Sequence, residues 1–136
     1  MLDPASISMI AALVILVILS AFFSATETAF TSLNRIRLKS RADSGNKRAA
    51  LTLRIAEDYD KLLSTNLIGN NIVNISASTV GTVLFTKLFL DYGPLVSTVV
   101  LTVVILVFGE ISPKSMAKEN AEAFAMFAAP IMRVLM

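Results

Sequence analysis

The segment Phe108-Gly109-Glu110-Ile111-Ser112-Pro113-Lys114 closes an uncharged apolar run that begins at Leu95, so a carboxylate and a proline stand together within membrane-length sequence. An acid at that depth is costly unless it meets a cation, water or a partner, and it marks a functional site by default. Pro113 has no N–H, and in an α-helix its missing partner is the carbonyl of Gly109, four residues back. The segment thus offers a carboxylate beside a free backbone oxygen. Those are the donors a hard cation takes.

Two other segments carry oxygen donors at regular spacing. Asn66, Asn70, Asn74 and Ser78 recur every fourth residue, as do Ser20, Ser24 and Thr28, with Glu27 beside the last. In a helix, such spacing puts each set on one slowly drifting face. Asn is a poor helix former and expensive to show to lipid, so that face looks into a bundle or a cavity. With a rise of ~1.5 Å per residue, Asn70 lies roughly 13 Å along its helix from Lys61, and Ser24 roughly 16 Å back from Arg35. Glu110 precedes Lys114 by one turn. All three segments therefore set their donors in the same half of a membrane.

Not every donor is a ligand. Ser and Thr in a span commonly bond back to their own helix, so Ser20, Thr28 and Ser78 read individually as structural. Asn can simply join helices, at ~1 kcal/mol or less per bond. Asn70 and Asn74 opposite Glu110 are the stronger candidates for touching an ion. Glu27 either pairs with a juxtamembrane Arg or supplies a second cation site together with Thr28.

The elements that must position these residues are legible in the hydropathy. Of 136 residues, 55% are hydrophobic and the mean hydropathy is +0.73, too apolar for an ordinary soluble domain. The apolar blocks predict an all-α membrane protein with three transmembrane helices, at about residues 7–30, 62–90 and 95–113. Juxtamembrane and interfacial helices are expected at 31–61 and 115–136, split near Ser44-Gly45-Asn46. The whole chain reads as one ion-transport domain. Pro130 and the early charges Lys118, Glu119 and Glu122 favour an interfacial or bundle-packing tail helix over a fourth span. The first block lacks the basic n-region of a signal peptide.

Arg35, Arg37, Lys39, Arg41, Lys47, Arg48, Arg54 and Lys61 are two-thirds of the basic residues, and the positive-inside rule sets them in the cytoplasm. The N-terminus then lies outside and the C-terminus inside, with Asp91-Tyr92-Gly93-Pro94 as an outer turn and Lys87 snorkelling near it. The basic stretch has no aromatic interleaving, so a nucleic-acid partner is not expected; lipid headgroups are. Small residues near Ala77 and Gly81 would allow close packing between copies. The apolar run still open at Met136 implies that the natural polypeptide continues. The chain has no Cys and no His, which removes thiol, zinc, copper and histidine chemistry and leaves oxygen ligands only. No enzymatic constellation is present.

Phe23-Ser24-Ala25-Thr26-Glu27-Thr28-Ala29-Phe30, then Leu67-Ile68-Gly69-Asn70-Asn71-Ile72-Val73-Asn74, then Phe108 to Lys114 occur in that order. This succession resembles the transmembrane domain of the CorC/CNNM magnesium transporters, and the likeness covers essentially the whole chain. It implies a homodimer of three-span subunits in the cell membrane that exports Mg²⁺, coupled to inward Na⁺ flow. Carried over by position, the ion site is Ser24, Asn70, the Gly109 carbonyl and Glu110, with Asn74 adjoining and Pro113 as the helix kink. The family continues into cytoplasmic CBS-type domains, so nucleotide regulation is not assigned to residues 1–136. The competing expectation is a Mg²⁺-sensing membrane anchor that relays occupancy to those domains without transport.

Overall fold

A computed structural model describes residues 3–136. The first helix, α1 (Pro4–Thr31), is started by Asp3, whose side chain accepts from the Ser6 N–H, with Pro4 in the first turn where its missing donor costs nothing. Two short helices follow, α2 (Arg35–Asp43) and α3 (Lys47–Glu57), each capped by an asparagine: Asn34 accepts from the Arg37 N–H and Asn46 from the Ala49 N–H, both at 3.1 Å. Gly45, at φ +99°, makes the expected turn between them. Arg35 reaches back to the Ala56 carbonyl at 3.2 Å, a cation on the C-terminal end of α3.

The long helix α4 (Tyr59–Phe89) starts three residues before the expected span and ends in a 3₁₀ turn, Leu90–Tyr92. The chain then folds back as α5 (Gly93–Val104), a π-helical stretch (Ile105–Ile111) and α6 (Ser112–Glu119), followed by α7 (Ala121–Leu135). Two continuous helical runs, Pro4–Thr31 and Tyr59–Glu119, are long and apolar enough to cross a membrane, holding 18-residue windows of mean hydropathy 2.7 and 2.3 respectively. The second is bent into two antiparallel legs, because α4 packs along α5.

Three polar contacts fix α1 antiparallel to α4: Asp3 to Lys87 at one end, Ser20 to Asn74 midway, and Thr31 to Tyr59 (3.2 Å) at the other. Lys87, expected to snorkel at the outer face, pairs with Asp3. That partner, with the Ser6 donors, holds the Asp3 carboxyl below the usual carboxylate range. A lowered folded-state pKa stabilises above the unfolded value near ~4, and the gain fades as pH falls below it. Asn caps a helix as well as Asp, so Asp3→Asn isolates the ion pair. Its melting-temperature deficit against the parent should be constant above about pH 5 and shrink as pH drops below ~4. A deficit independent of pH would mean the clasp adds nothing.

Hydrophobic burial concentrates around the C-terminal half of α1, where α3, α4, α6 and α7 converge on Phe23, Ala29, Phe30, Ile55, Leu62, Ala125, Ala129 and Met132. Fully buried alanines there let the helices approach closely. The N-terminal half of α1 is different: Ile7, Val14, Ile15 and Ile18 are all more than half exposed. Ala77 and Gly81, expected as possible surface for a second copy, are buried inside the chain, Gly81 against Leu101 and Ser97 of α5. Helix α7 lies against α1 and α3, which agrees with the expected bundle-packing tail.

Candidate functional site

The polar stripe on α4 faces α1 only over part of its length. Steps of four residues rotate the face by ~40° each time. Asn66 is accordingly buried, Asn70 and Asn74 are half-buried, and Ser78 emerges on the surface. The convergence point is Ser20. Its hydroxyl donates to Asn74 Oδ1 at 2.9 Å and stands 3.5 Å from Asn70 Oδ1. On its other side is the π-helical stretch, where a Cβ added to Gly109 would lie 3.0 Å from Ser20 Oγ. Three helical segments meet there through small or polar groups. A side chain at 109 would be tight against the serine, whose hydroxyl would have to give by a few tenths of an ångström.

Ser20 was read as structural because span hydroxyls commonly bond back to their own helix; its bond runs to another helix instead. Thr26, Thr31, Thr79, Thr82 and Thr98 do bond back to the carbonyl four residues earlier. Ser20 instead bonds across to α4, because the asparagine pair supplies a better-placed acceptor. The available signal was its position at the head of the Ser20–Ser24–Thr28 stripe. Ser20→Ala should leave Asn74 Oδ1 without its donor at a cost of ~1–3 kcal/mol. The check is thermal unfolding in detergent; unchanged stability would show that the bond contributes nothing.

Ser24 is buried at 2% exposure, one turn beyond Ser20 on α1, and no hydrogen bond joins it to the asparagines among the described residues. Glu110 follows Gly109 directly and is half-buried. Among the described residues it forms no ion pair, not even with Lys114 one turn on. Glu27 and Thr28 are half-buried and lie ~10 Å further along α1 than Ser20, outside this cluster. Glu27 has no ion-pair partner among the described residues, so the expected alternative of an arginine beside it is not what the structure shows.

The backbone around Pro113 departs from the expected α geometry. The Ser112 N–H reaches the Val107 carbonyl, five residues back. The next residue that could extend this ladder is Pro113, which has no N–H, so the π-helical stretch stops and α6 begins with the proline in its first turn. In the π register the carbonyl that faces proline is Phe108's; in the α register it is Gly109's. Pro113 thus withholds its donor from one or the other of these two adjacent carbonyls.

One more oxygen lies on the stripe. Asn66 is 2% exposed, and its Oδ1 is buried with no hydrogen-bond partner among the described residues. Between it and Asn70, the Phe23 ring covers Gly69, where a Cβ would come within 2.6 Å of the ring. The cluster as a whole offers hydroxyl, amide, carbonyl and carboxylate oxygens, a donor set that suits a small hard cation. No group of three or more His, Cys, Asp or Glu able to hold a metal occurs among the described residues, so any cation here rests mainly on neutral ligands.

Known proteins are similar to this chain in sequence. A UPF0053 protein of Haemophilus influenzae is 44% identical over 124 residues, covering 91% of this chain and 30% of that protein. The UPF0053 inner membrane protein YfjD of Escherichia coli is 44% identical over 107 residues, covering 79% of this chain and 25% of its own length. A chloroplastic DUF21 domain-containing protein of Arabidopsis thaliana is 37% identical over 113 residues, covering 83% and 17%. The chain spans less than a third of the length of each of these relatives. The family described as the Cyclin M transmembrane N-terminal domain, CNNM, matches residues 11–136. The helical hairpin, the polar cluster at its centre and a match over nearly the full sequence make this chain a member of the CNNM transmembrane domain family.

Proposed function

We propose that this domain moves Mg²⁺ across the membrane, exporting it by alternating access around the Ser20–Asn70–Asn74–Gly109–Glu110 cluster. The observation that supports this best is the meeting of α1, α4 and the π-helical stretch through small and polar groups, with a carboxylate adjoining that is unpaired among the described residues. Glu110 supplies the charge that favours a cation over water. Ser24, Asn70, Asn74 and the Phe108–Gly109 carbonyls complete its shell. Mg²⁺ gives up water reluctantly and needs near-octahedral oxygens, and preorganised donors on three helices offset that cost.

In this reading α1, α4 and the α5–α6 leg are three crossings. The basic α2–α3 segment lies in the cytoplasm, the N-terminus lies outside, and the membrane is the cell or inner membrane. A second copy completes the unit; the exposed apolar side chains of α4 and α5, Ile68, Ile72, Ile75 and Val99 among them, meet lipid or that copy. Exporting a divalent cation against an inside-negative potential costs ~4.6 kcal/mol per 100 mV, so a driving ion is required. Inward Na⁺ flow is the proposed source, with Glu27 and Thr28 as its place. CBS-type cytoplasmic domains following this one would regulate the cycle.

The test is Mg²⁺ flux in proteoliposomes with and without an opposing Na⁺ gradient. Gradient-dependent flux supports the coupled exporter. Saturable Mg²⁺ binding without flux would favour a sensor in its place.

A further inference from the structure

We propose that the groove between α3 and the C-terminal end of α7 binds the phosphate of an anionic membrane phospholipid. Arg48 and Arg54 of α3 face Arg133 of α7 across this groove, with Leu51 on its floor. It continues past Ile55 to Lys61, at the start of α4, and Lys47 closes the other end. Among the described residues Asp58 is the only acid lining it. None of the five cations takes part in an ion pair among the described residues.

A second basic cluster on the protein shows the contrast. Where α2 meets α6 and α7, Arg37, Arg41 and Lys118 are accompanied by Glu119 and Glu122, and Arg37 pairs with Glu122 at 3.4 Å. That cluster is largely neutralised from within. The α3–α7 groove is not, so its positive charge is free to attract an external anion.

The surroundings select a lipid over a soluble acidic partner. Phe127, Ile131 and Val134 lie three to four residues apart on α7 and are 55%, 42% and 85% exposed. One apolar face is therefore bare while Arg133 beside it points into the basic groove, the pattern of a helix lying in the membrane interface. Lys61 immediately precedes the apolar face of α4, which sets the groove at headgroup level. The phosphate would sit among the arginines, and the first methylenes over Leu51 and Ile55. The assignment rests on the orientation proposed above.

The experiment is native mass spectrometry of the purified protein in mixed micelles containing phosphatidylglycerol or phosphatidylcholine. Each basic residue near a membrane surface is worth ~1 kcal/mol, about fivefold in affinity. Arg54→Gln with Arg133→Gln should therefore weaken phosphatidylglycerol binding roughly 30-fold. Lys39→Gln with Lys118→Gln, exposed cations outside the groove, should change it less than twofold. Should the double variant fold poorly, Arg133→Gln alone, on an exposed side chain, should still cost about fivefold. Equal losses from both pairs would reduce the effect to general surface charge and overturn the site, as would no preference for phosphatidylglycerol in the parent. Lost lipid preference with Mg²⁺ flux intact removes no part of the transport reading, so the two proposals fail separately.

Discussion

Glu110→Gln should reduce Mg²⁺ flux in proteoliposomes by about a thousandfold while leaving the protein folded. The substitution keeps shape and an acceptor oxygen and removes one charge. A carboxylate ~4 Å from one unit of cationic charge is worth ~4 kcal/mol at an effective dielectric of 20, or three decades of affinity. A divalent ion at bonding distance would lose more. The stability measured beside flux separates the explanations. A carboxylate that served no cation would be an uncompensated charge at membrane depth, and its amide would melt higher with flux unchanged. Loss of flux at equal or higher stability is the expected result. Glu110→Asp, which keeps the charge and withdraws it by one methylene, should retain part of the flux. Unaltered flux in Glu110→Gln would sink the proposed mechanism whatever the Na⁺ dependence of the parent.

What sequence reasoning reached and what it missed separate along physical lines. Helix positions followed from hydropathy and from the Ser44-Gly45-Asn46 turn, which acts on its own neighbours; the asparagine caps at Asn34 and Asn46 emerged only from the structure. The Asn70–Asn74 face and the candidacy of Glu110 followed from spacing and cost. The π-helical stretch did not, because its register depends on how Gly109 seats against Ser20, a contact between residues far apart in the chain. The cross-helix bond of Ser20 was hidden for the same reason: a hydroxyl bonds locally unless a partner arrives from another helix. Ala77 and Gly81 announced close packing, but small residues do not say whether the neighbour is their own chain or another. It proved to be α5. The pairing of Asp3 with Lys87 likewise required knowing that α1 and α4 run antiparallel over their full length.

The hairpin that carries the site also contains the position least able to accept a side chain. A Cβ on Gly93 would overlap the Cα and N of Thr86, backbone atoms of α4 that no rotamer change can move. A Cβ on Gly81 would meet Leu101 Cδ1, the end of a flexible side chain. Both are glycines in the α4–α5 contact, and hydropathy alone ranks Gly93→Ala and Gly81→Ala as equally mild. The geometry ranks them differently. Gly81→Ala should cost an ordinary overpacking penalty of ~1–3 kcal/mol, eased as Leu101 turns away. Gly93→Ala must open the turn, where Leu90 already holds φ +55°, a conformation unfavourable for a branched side chain. Its cost should exceed ~4 kcal/mol, and its melting temperature should fall by roughly 10 °C or more. The effect should reach the site as well. Gly109 lies ~24 Å along the returning leg from Gly93, so a displaced turn shifts the π-helical stretch against Ser20 and lowers Mg²⁺ flux. Thermal unfolding of the two variants side by side decides it. A Gly81→Ala protein less stable than Gly93→Ala would mean that the mid-hairpin contact, and not the turn, sets the register of Glu110.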